Sequence, residues 1–175
     1  RESIGSLFRQ GLVARRLQAH HATIETEMDF TPAHHQQAAG LVCYYNSSKF
    51  HYLHVSRDEA HGRHLRVMSA LPDSVMADAF TAPISIPEGP IRLRAEIDEE
   101  RLLFAWRVGD GAWQRLPEVF DASILSDEAQ APGTPNFTGA FVGMACQDMA
   151  GTLNPADFRS FTYRERSFSA DPFRG

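Results

Sequence analysis

An all-β, antiparallel β-sandwich with one short helical turn is the fold this sequence predicts, on three observations. Apolar and polar residues alternate at period two over several short segments, the signature of strands with one buried face. Pro, Gly, Asn and Ser clusters interrupt those segments at short intervals, which is turn chemistry. Only Asp121–Ser126, DASILS, carries a helical start, with Asp121 as its cap.

The elements follow in order. Leu7, Phe8, Leu12, Val13 and Leu17 suit either a short helix or an opening strand. Ala22, Ile24, Thr26, Met28 and Phe30 alternate with Thr23, Glu25, Glu27 and Asp29, a half-buried strand that Pro32 ends. Ala38–Tyr45, AAGLVCYY, is nearly continuous in apolar residues, as a strand covered on both faces should be. Asn46-Ser47-Ser48 turns the chain into Phe50–Ser56, a hairpin, and Leu65, Val67 and Ser69 mark the next strand. Asp73–Pro90 is loop-rich. Ile91, Leu93, Ala95 and Ile97, then Leu102, Phe104, Trp106 and Val108, form a second hairpin around Asp98–Arg101, and Trp113–Leu116 is a short strand. A Pro/Gly loop then leads into Asn136–Met149, NFTGAFVGMACQDM, a central strand. The chain before it is expected to build one face of the sandwich, with Phe141 in the core. ADFRSFTY closes the fold, and 167–175 is expected to be a flexible tail on a domain spanning 1–166.

A length of 175 residues suits one domain with a substantial core. Charged residues make up 22% and the net charge is −5 without a basic stripe, which argues against nucleic acid and anionic membrane as partners. No apolar run approaches the roughly 18 residues of a membrane span. The chain begins Arg-Glu-Ser with no visible signal peptide, so it is expected to be part of something longer. Cys43 and Cys146 each sit in an apolar run as small buried hydrophobes, with a single bridge between them as the alternative.

The residues assemble no catalytic set. His20-His21 and His34-His35 are neighbours that point to opposite faces of a strand, and His51/His54 and His61/His64 match no zinc spacing, so no metal and no cofactor is expected. Glu25 and Glu27 share the wet face of a strand, where carboxylates ordinarily sit. Asp148, following an apolar run, suits a hydrogen-bonded structural role. Tyr44, Tyr45, Tyr52, Trp106 and Trp113 lie on strands, so a sugar-stacking face is conceivable, although aromatics at period two are more often core. Phe137, where loop becomes strand, is either core or a side chain presented to a partner.

The blocks SLFRQGLVARR, QQAAGLVCYYN, HYLHVSRDE, LRVMS, IRLRAEID, DASILSD, FTGAFVGMACQD and ADFRSFTYRE occur in one order over Ser3–Arg166. Together they resemble the C-terminal, concanavalin A-like β-sandwich (jelly-roll) domain of bacterial glycoside hydrolase family 43 β-xylosidases. The resemblance implies a divided enzyme: an N-terminal five-bladed propeller, absent from this chain, carries the catalytic carboxylates, and the sandwich packs on it. It implies that Phe137, in the FTG step, closes a pocket for xylo-oligosaccharide, with Asn136, Thr138 and Asp148 as neighbours. The parent would be an inverting xylan 1,4-β-xylosidase with possible arabinofuranosidase activity, placed by family resemblance in the cytoplasm. The chain departs from the family in the prolines of AQAPGTPN, which stiffen the approach to Phe137, and in Ala145-Cys146 where relatives often pair cysteines. The competing expectations are an independent carbohydrate-binding module and a structural or homo-oligomerising sandwich without ligand.

Overall fold

In this computed structural model, which describes residues 2–71, 79–129 and 138–166, the period-two segments form two packed antiparallel sheets. One sheet runs in the order β1 (Gly11–Arg16), β11 (Phe141–Asp148), β3 (Gln37–Asn46), β4 (Lys49–Asp58), β5 (Gly62–Ala70) and β6 (Ala79–Phe80), with β7 (Ile84–Ser85) also on β5. The other runs β10 (Gln114–Asp121), β9 (Arg101–Val108), β8 (Ile91–Asp98), β2 (His21–Asp29) and β12 (Asp157–Glu165). The segments before residue 136 therefore supply both sheets rather than one face, because the chain crosses over after β1, β2 and β7. Asn136 and the 167–175 tail lie outside the described residues.

Alternation is what the packing requires. Ile24 and Met28 on β2, Ile91 and Leu93 on β8, and Leu102 and Phe104 on β9 are fully buried against Leu41, Leu53, Leu65 and Val142 of the facing sheet. Each such side chain removed from water contributes roughly 1.5–3 kcal/mol. The outward side of β2, β8 and β12 is wet, and there Glu27 pairs with Arg92 at 2.8 Å, Glu25 with Arg94 at 2.6 Å and Asp29 with Arg159 at 3.0 Å. Glu25 and Glu27 are thus rungs of a charge ladder on the solvated face.

β3 is apolar on both sides because both sides are covered. Leu41, Cys43 and Tyr45 face the sandwich interior, and Ala38 and Val42 face outward into a second cluster with Ile4, Phe50, Tyr52 and Ala145. The N-terminal segment forms part of that cover: Ile4 N–H donates to Gln147 Oε1 at 3.1 Å, and the Gln10 amide to Tyr44 Oη at 3.0 Å. The helix-or-strand ambiguity there resolves as strand β1, which pairs with β11 from Gly11–Cys146 to Arg16–Phe141. Their backbones approach closely: a Cβ at Gly143 would stand 2.2 Å from Val13 O.

The expected loop over Asp73–Pro90 contains the two-residue strands β6 and β7 within its described part. The short strand expected at Trp113–Leu116 instead extends over β10, with a register shift between Arg115 and Val119 that accommodates Pro117 at the sheet edge. DASILS forms a 3₁₀ turn, Ala122–Leu125, and Asp121 Oδ1 caps it by accepting from Ser123 N–H at 2.8 Å. Cys43 pairs across from Val142 and Cys146 from Ala39, so the register separates the two and both thiols are free. Burial pushes the Cys43 thiol up to about 12.

Histidines are less superficial than their spacing suggests, since His51, His54 and His64 are all buried. His54 stacks on Tyr52 with ring centroids 5.0 Å apart and donates from Nδ1 to Tyr52 O at 3.1 Å. Desolvation lowers its pKa from 6.5 to about 4, against the hydrogen bond to Tyr52 O and with smaller help from Arg66 and His64. Below pH 6.5 the unfolded chain binds a proton that the folded chain refuses until about pH 4, so stability is full above 6.5 and falls across that window. The loss attributable to His54 is about 3 kcal/mol. Urea unfolding at pH 7 and pH 4.5 should show a steep decline in the wild type and a shallower one in His54→Gln, and equal declines would refute this assignment.

Candidate functional site at the loop end of the sandwich

Of the described residues nominated from sequence, Asp148 ends β11, whereas Thr138 lies before its start, at the opposite end. At the rise of a strand, the eight-residue β11 separates its two ends by about 23 Å. Asp148 organises a turn: it accepts from Asn154 N–H at 2.9 Å, Thr152 Oγ1 at 2.8 Å and Ala150 N–H at 3.0 Å. Those hydrogen bonds, led by Asn154 N–H and then the Thr152 hydroxyl, lower its carboxyl from 3.8 to about 2. Its structural role is visible, and it faces a cleft of about 930 Å³ beside Arg9 and Met149 at the end of β11 remote from Thr138.

At the Thr138 end, the chain is held on both sides of the segment that contains Asn136 and Phe137, two residues outside the described set. On the leading side, Lys49 at the start of β4 is fully buried, its ammonium donating to Ser126 O at 2.9 Å and Ala129 O at 2.8 Å. The same Nζ lies 3.6 Å from the centroid of the Tyr45 ring, a cation–π contact, and the Tyr45 hydroxyl donates to Asp127 Oδ1. Desolvation lowers the Lys49 pKa, with Asp127 acting against it, and the Tyr45 phenol is raised by burial and by Asp127. His51, two residues along β4 on the same face, donates from Nε2 to Asp121 O at 3.0 Å and accepts at Nδ1 from the Ser69 hydroxyl at 2.7 Å. Desolvation lowers the His51 pKa, with the hydrogen bond to Asp121 O acting against it.

On the trailing side, Thr138 Oγ1 donates to Tyr45 O at 3.3 Å and Leu17 N–H to Ala140 O at 2.9 Å. Gly139 has φ +68°, a conformation that costs a side-chain-bearing residue roughly 1–2 kcal/mol. A Cβ there would also meet the Arg16 guanidinium at 2.4 Å. Arg16 in turn lies 5.1 Å from the Phe141 ring centroid. Phe141 is half-buried on the outward face of its sheet, opposite Tyr44, and not in the sandwich core as expected, because Val142 takes the inward position in this register. A cleft of about 980 Å³ lies between the β1–β2, β8–β9 and β10–β11 connections, with Glu128, Ala129 and Ala140 in its lining.

The five aromatics nominated from sequence do not form a platform, and Trp113 falls just before β10. Tyr45, Tyr52 and Trp106 are buried, Tyr44 stacks on Phe50, and Trp113 lies between Arg94 at 3.9 Å and Arg107 at 4.9 Å. Among the described residues, no group of three or more His, Cys, Asp or Glu is placed to hold a metal. Lys49 and His51 carry the site, yet sequence reasoning passed over Lys49 and treated His51 only as a possible ligand. The available signal was that both fall on the inward parity of KFHYLHVS with Leu53 and Val55. Replacing Lys49 by Met leaves Ser126 O and Ala129 O without their donor, at about 1–3 kcal/mol each. Chemical denaturation should therefore find Lys49→Met destabilised by about 2–4 kcal/mol and Tyr45→Phe by only about 1 kcal/mol; equal small losses would contradict the tether.

Known proteins share this arrangement of strands and blocks. The family described as the β-xylosidase C-terminal concanavalin A-like domain matches residues 1–164. A β-xylosidase of Bacillus subtilis (strain 168) is 38% identical over 167 residues, covering 94% of this chain and 31% of its own length. A xylosidase/arabinosidase 43B of Humicola insolens is 38% identical over 180 residues, covering 99% of this chain and 33% of its own. The crystal structure of a xylan β-1,4-xylosidase from Bacillus halodurans C-125 superposes with a TM-score of 0.86 at 36% identity, over 94% of this chain and 31% of that one. The chain thus spans about a third of the length of these relatives. With the family matching nearly end to end and the sandwich superposing on a solved relative, the chain belongs to the β-xylosidase C-terminal concanavalin A-like domains of family 43 glycoside hydrolases.

Proposed function

We propose that this chain is the accessory C-terminal domain of a β-xylosidase or α-L-arabinofuranosidase, packed on a five-bladed catalytic propeller of the same polypeptide. In this reading Phe137 forms an aromatic wall of the xylo-oligosaccharide pocket. The observation that carries the reading is the double tether: Lys49 holds Ser126 and Ala129 before the segment, and Tyr45 O and Leu17 N–H hold Thr138 and Ala140 after it. In this reading, anchoring Thr138 lowers the entropy lost when the neighbouring residue meets a substrate. The carboxylate chemistry belongs to the propeller, and the contribution of this chain is to restrict pocket depth and exclude water and longer chains. The buried strand aromatics favour this reading over a self-standing carbohydrate-binding module.

In the full polypeptide, Phe137→Ala should lower kcat/KM for a short xyloside by about tenfold, a loss of about 1.4 kcal/mol in transition-state binding. Its melting temperature should stay that of the wild type. Unaltered kinetics with an intact fold would reject Phe137 as the pocket wall.

A further inference from the structure

The tip of the β4–β5 hairpin carries two histidines that the tether does not use. Asp58 ends β4, and Gly62, with φ +63°, turns the chain into β5, so His61 and His64 flank the turn. His64 lies on the outward face of β5, opposite Ser56 of β4 on one side and Ser85 of β7 on the other, and is only 1% exposed. His61 stands at the exposed rim, where Ser85 Oγ donates to its carbonyl at 3.0 Å.

In both imidazoles Nδ1 already has an oxygen partner. His64 Nδ1 donates to Gly62 O at 3.0 Å, and a carbonyl only accepts, so the lone pair of the uncharged ring lies on Nε2. Among the described residues, His64 Nε2 is the one histidine nitrogen buried without a hydrogen-bond partner. His51, also buried, has a partner at each nitrogen. His61 Nδ1 lies 3.1 and 3.2 Å from the two carboxylate oxygens of Asp58, and the His61 backbone N–H donates to the first of them at 2.7 Å. That backbone hydrogen bond lowers the Asp58 pKa and so favours the ionised carboxylate beside the ring. Metal-bound histidines take this form, with one ring nitrogen fixed by a carbonyl or carboxylate and the other left as the ligand. The two ring centroids are 5.9 Å apart at an interplanar angle of 71°. Rings that share one cation at about 2.1 Å have centroids about 5–6 Å apart.

We infer that His61 and His64 hold a divalent transition cation through their Nε2 atoms, with Asp58 as the positioning residue behind His61. Imidazole suits Cu²⁺, Ni²⁺ and Zn²⁺, whereas Mg²⁺ and Ca²⁺ seek oxygen. Two ligands from the chain leave the other positions to water, which suits a turn with one exposed ring. It also agrees with the lack of any larger ligand cluster among the described residues. A cation here satisfies the buried Nε2 and clamps the turn to β5. The ten-residue β4 sets this tip about 30 Å from Lys49, so the clamp is independent of the loop end.

Copper titration of the full polypeptide tests it, read by pulsed EPR, which counts imidazole ligands. The wild type should take up one more equivalent of Cu²⁺ than His61→Gln, and that equivalent should couple to two rings. His61 is exposed, so its replacement leaves the fold intact. His64→Gln, its folding checked by melting temperature, should lose the same equivalent. Asp58→Asn should weaken the site at least tenfold. Equal uptake by wild type and His61→Gln overturns the inference. So does an equivalent that couples to a single ring or survives in folded His64→Gln, since either is the behaviour of a lone surface imidazole.

Discussion

One buried ammonium sets the geometry of the loop end. Moving a charged lysine out of water costs several kcal/mol unless hydrogen bonds and a favourable field compensate. At Lys49 the compensation comes from Ser126 O, Ala129 O, the face of Tyr45 and the charge of Asp127. The dependence is mutual. Beyond the 3₁₀ turn, these carbonyls have left the sheet ladders, and a buried carbonyl needs a donor. Lys49 reaches them from a strand that is itself fixed between β3 and β5. A connection with little regular structure thereby inherits the positional precision of the sheet.

β11 joins two kinds of fixed chain end. At one end Asp148 draws Ala150, Thr152 and Asn154 into a turn through hydrogen bonds to a single carboxylate. At the other end the backbone is secured by Tyr45 O, Leu17 N–H and the fit of Arg16 against Gly139. Between them the strand is locked by the close approach of Gly143 to β1. The anionic group serves architecture at one end, whereas the other is fixed by backbone contacts and a lysine.

Most of the fold was legible because it obeys period two. The β3–β4 and β8–β9 hairpins announce themselves through alternation and turn residues, and Asp121 through its capping chemistry. What escaped reading is what depends on register or distance. β6 and β7 are too short for any alternation to show. Phe141 looks like core until pairing with Tyr44 places it on the outward face. Lys49 follows Asn-Ser-Ser and resembles a turn-surface residue, while its partners lie 77 and 80 positions away. Family membership was legible from the order of blocks, but the tether that supports the candidate site was not, because it is a three-dimensional coincidence of remote residues.

The bulge in β10 has a consequence for the life of this sandwich in concentrated solution. An edge strand with a continuous row of free N–H and C=O groups is a template on which another chain can crystallise into a growing ribbon. β10 is such an edge, yet its register breaks between Arg115 and Val119, and Pro117 within that break has no N–H to offer. An incoming strand would find neither a straight edge nor an unbroken set of donors, so this edge of the five-stranded sheet is terminated chemically as well as topologically. This edge thus carries its own safeguard against pairing with a stray strand.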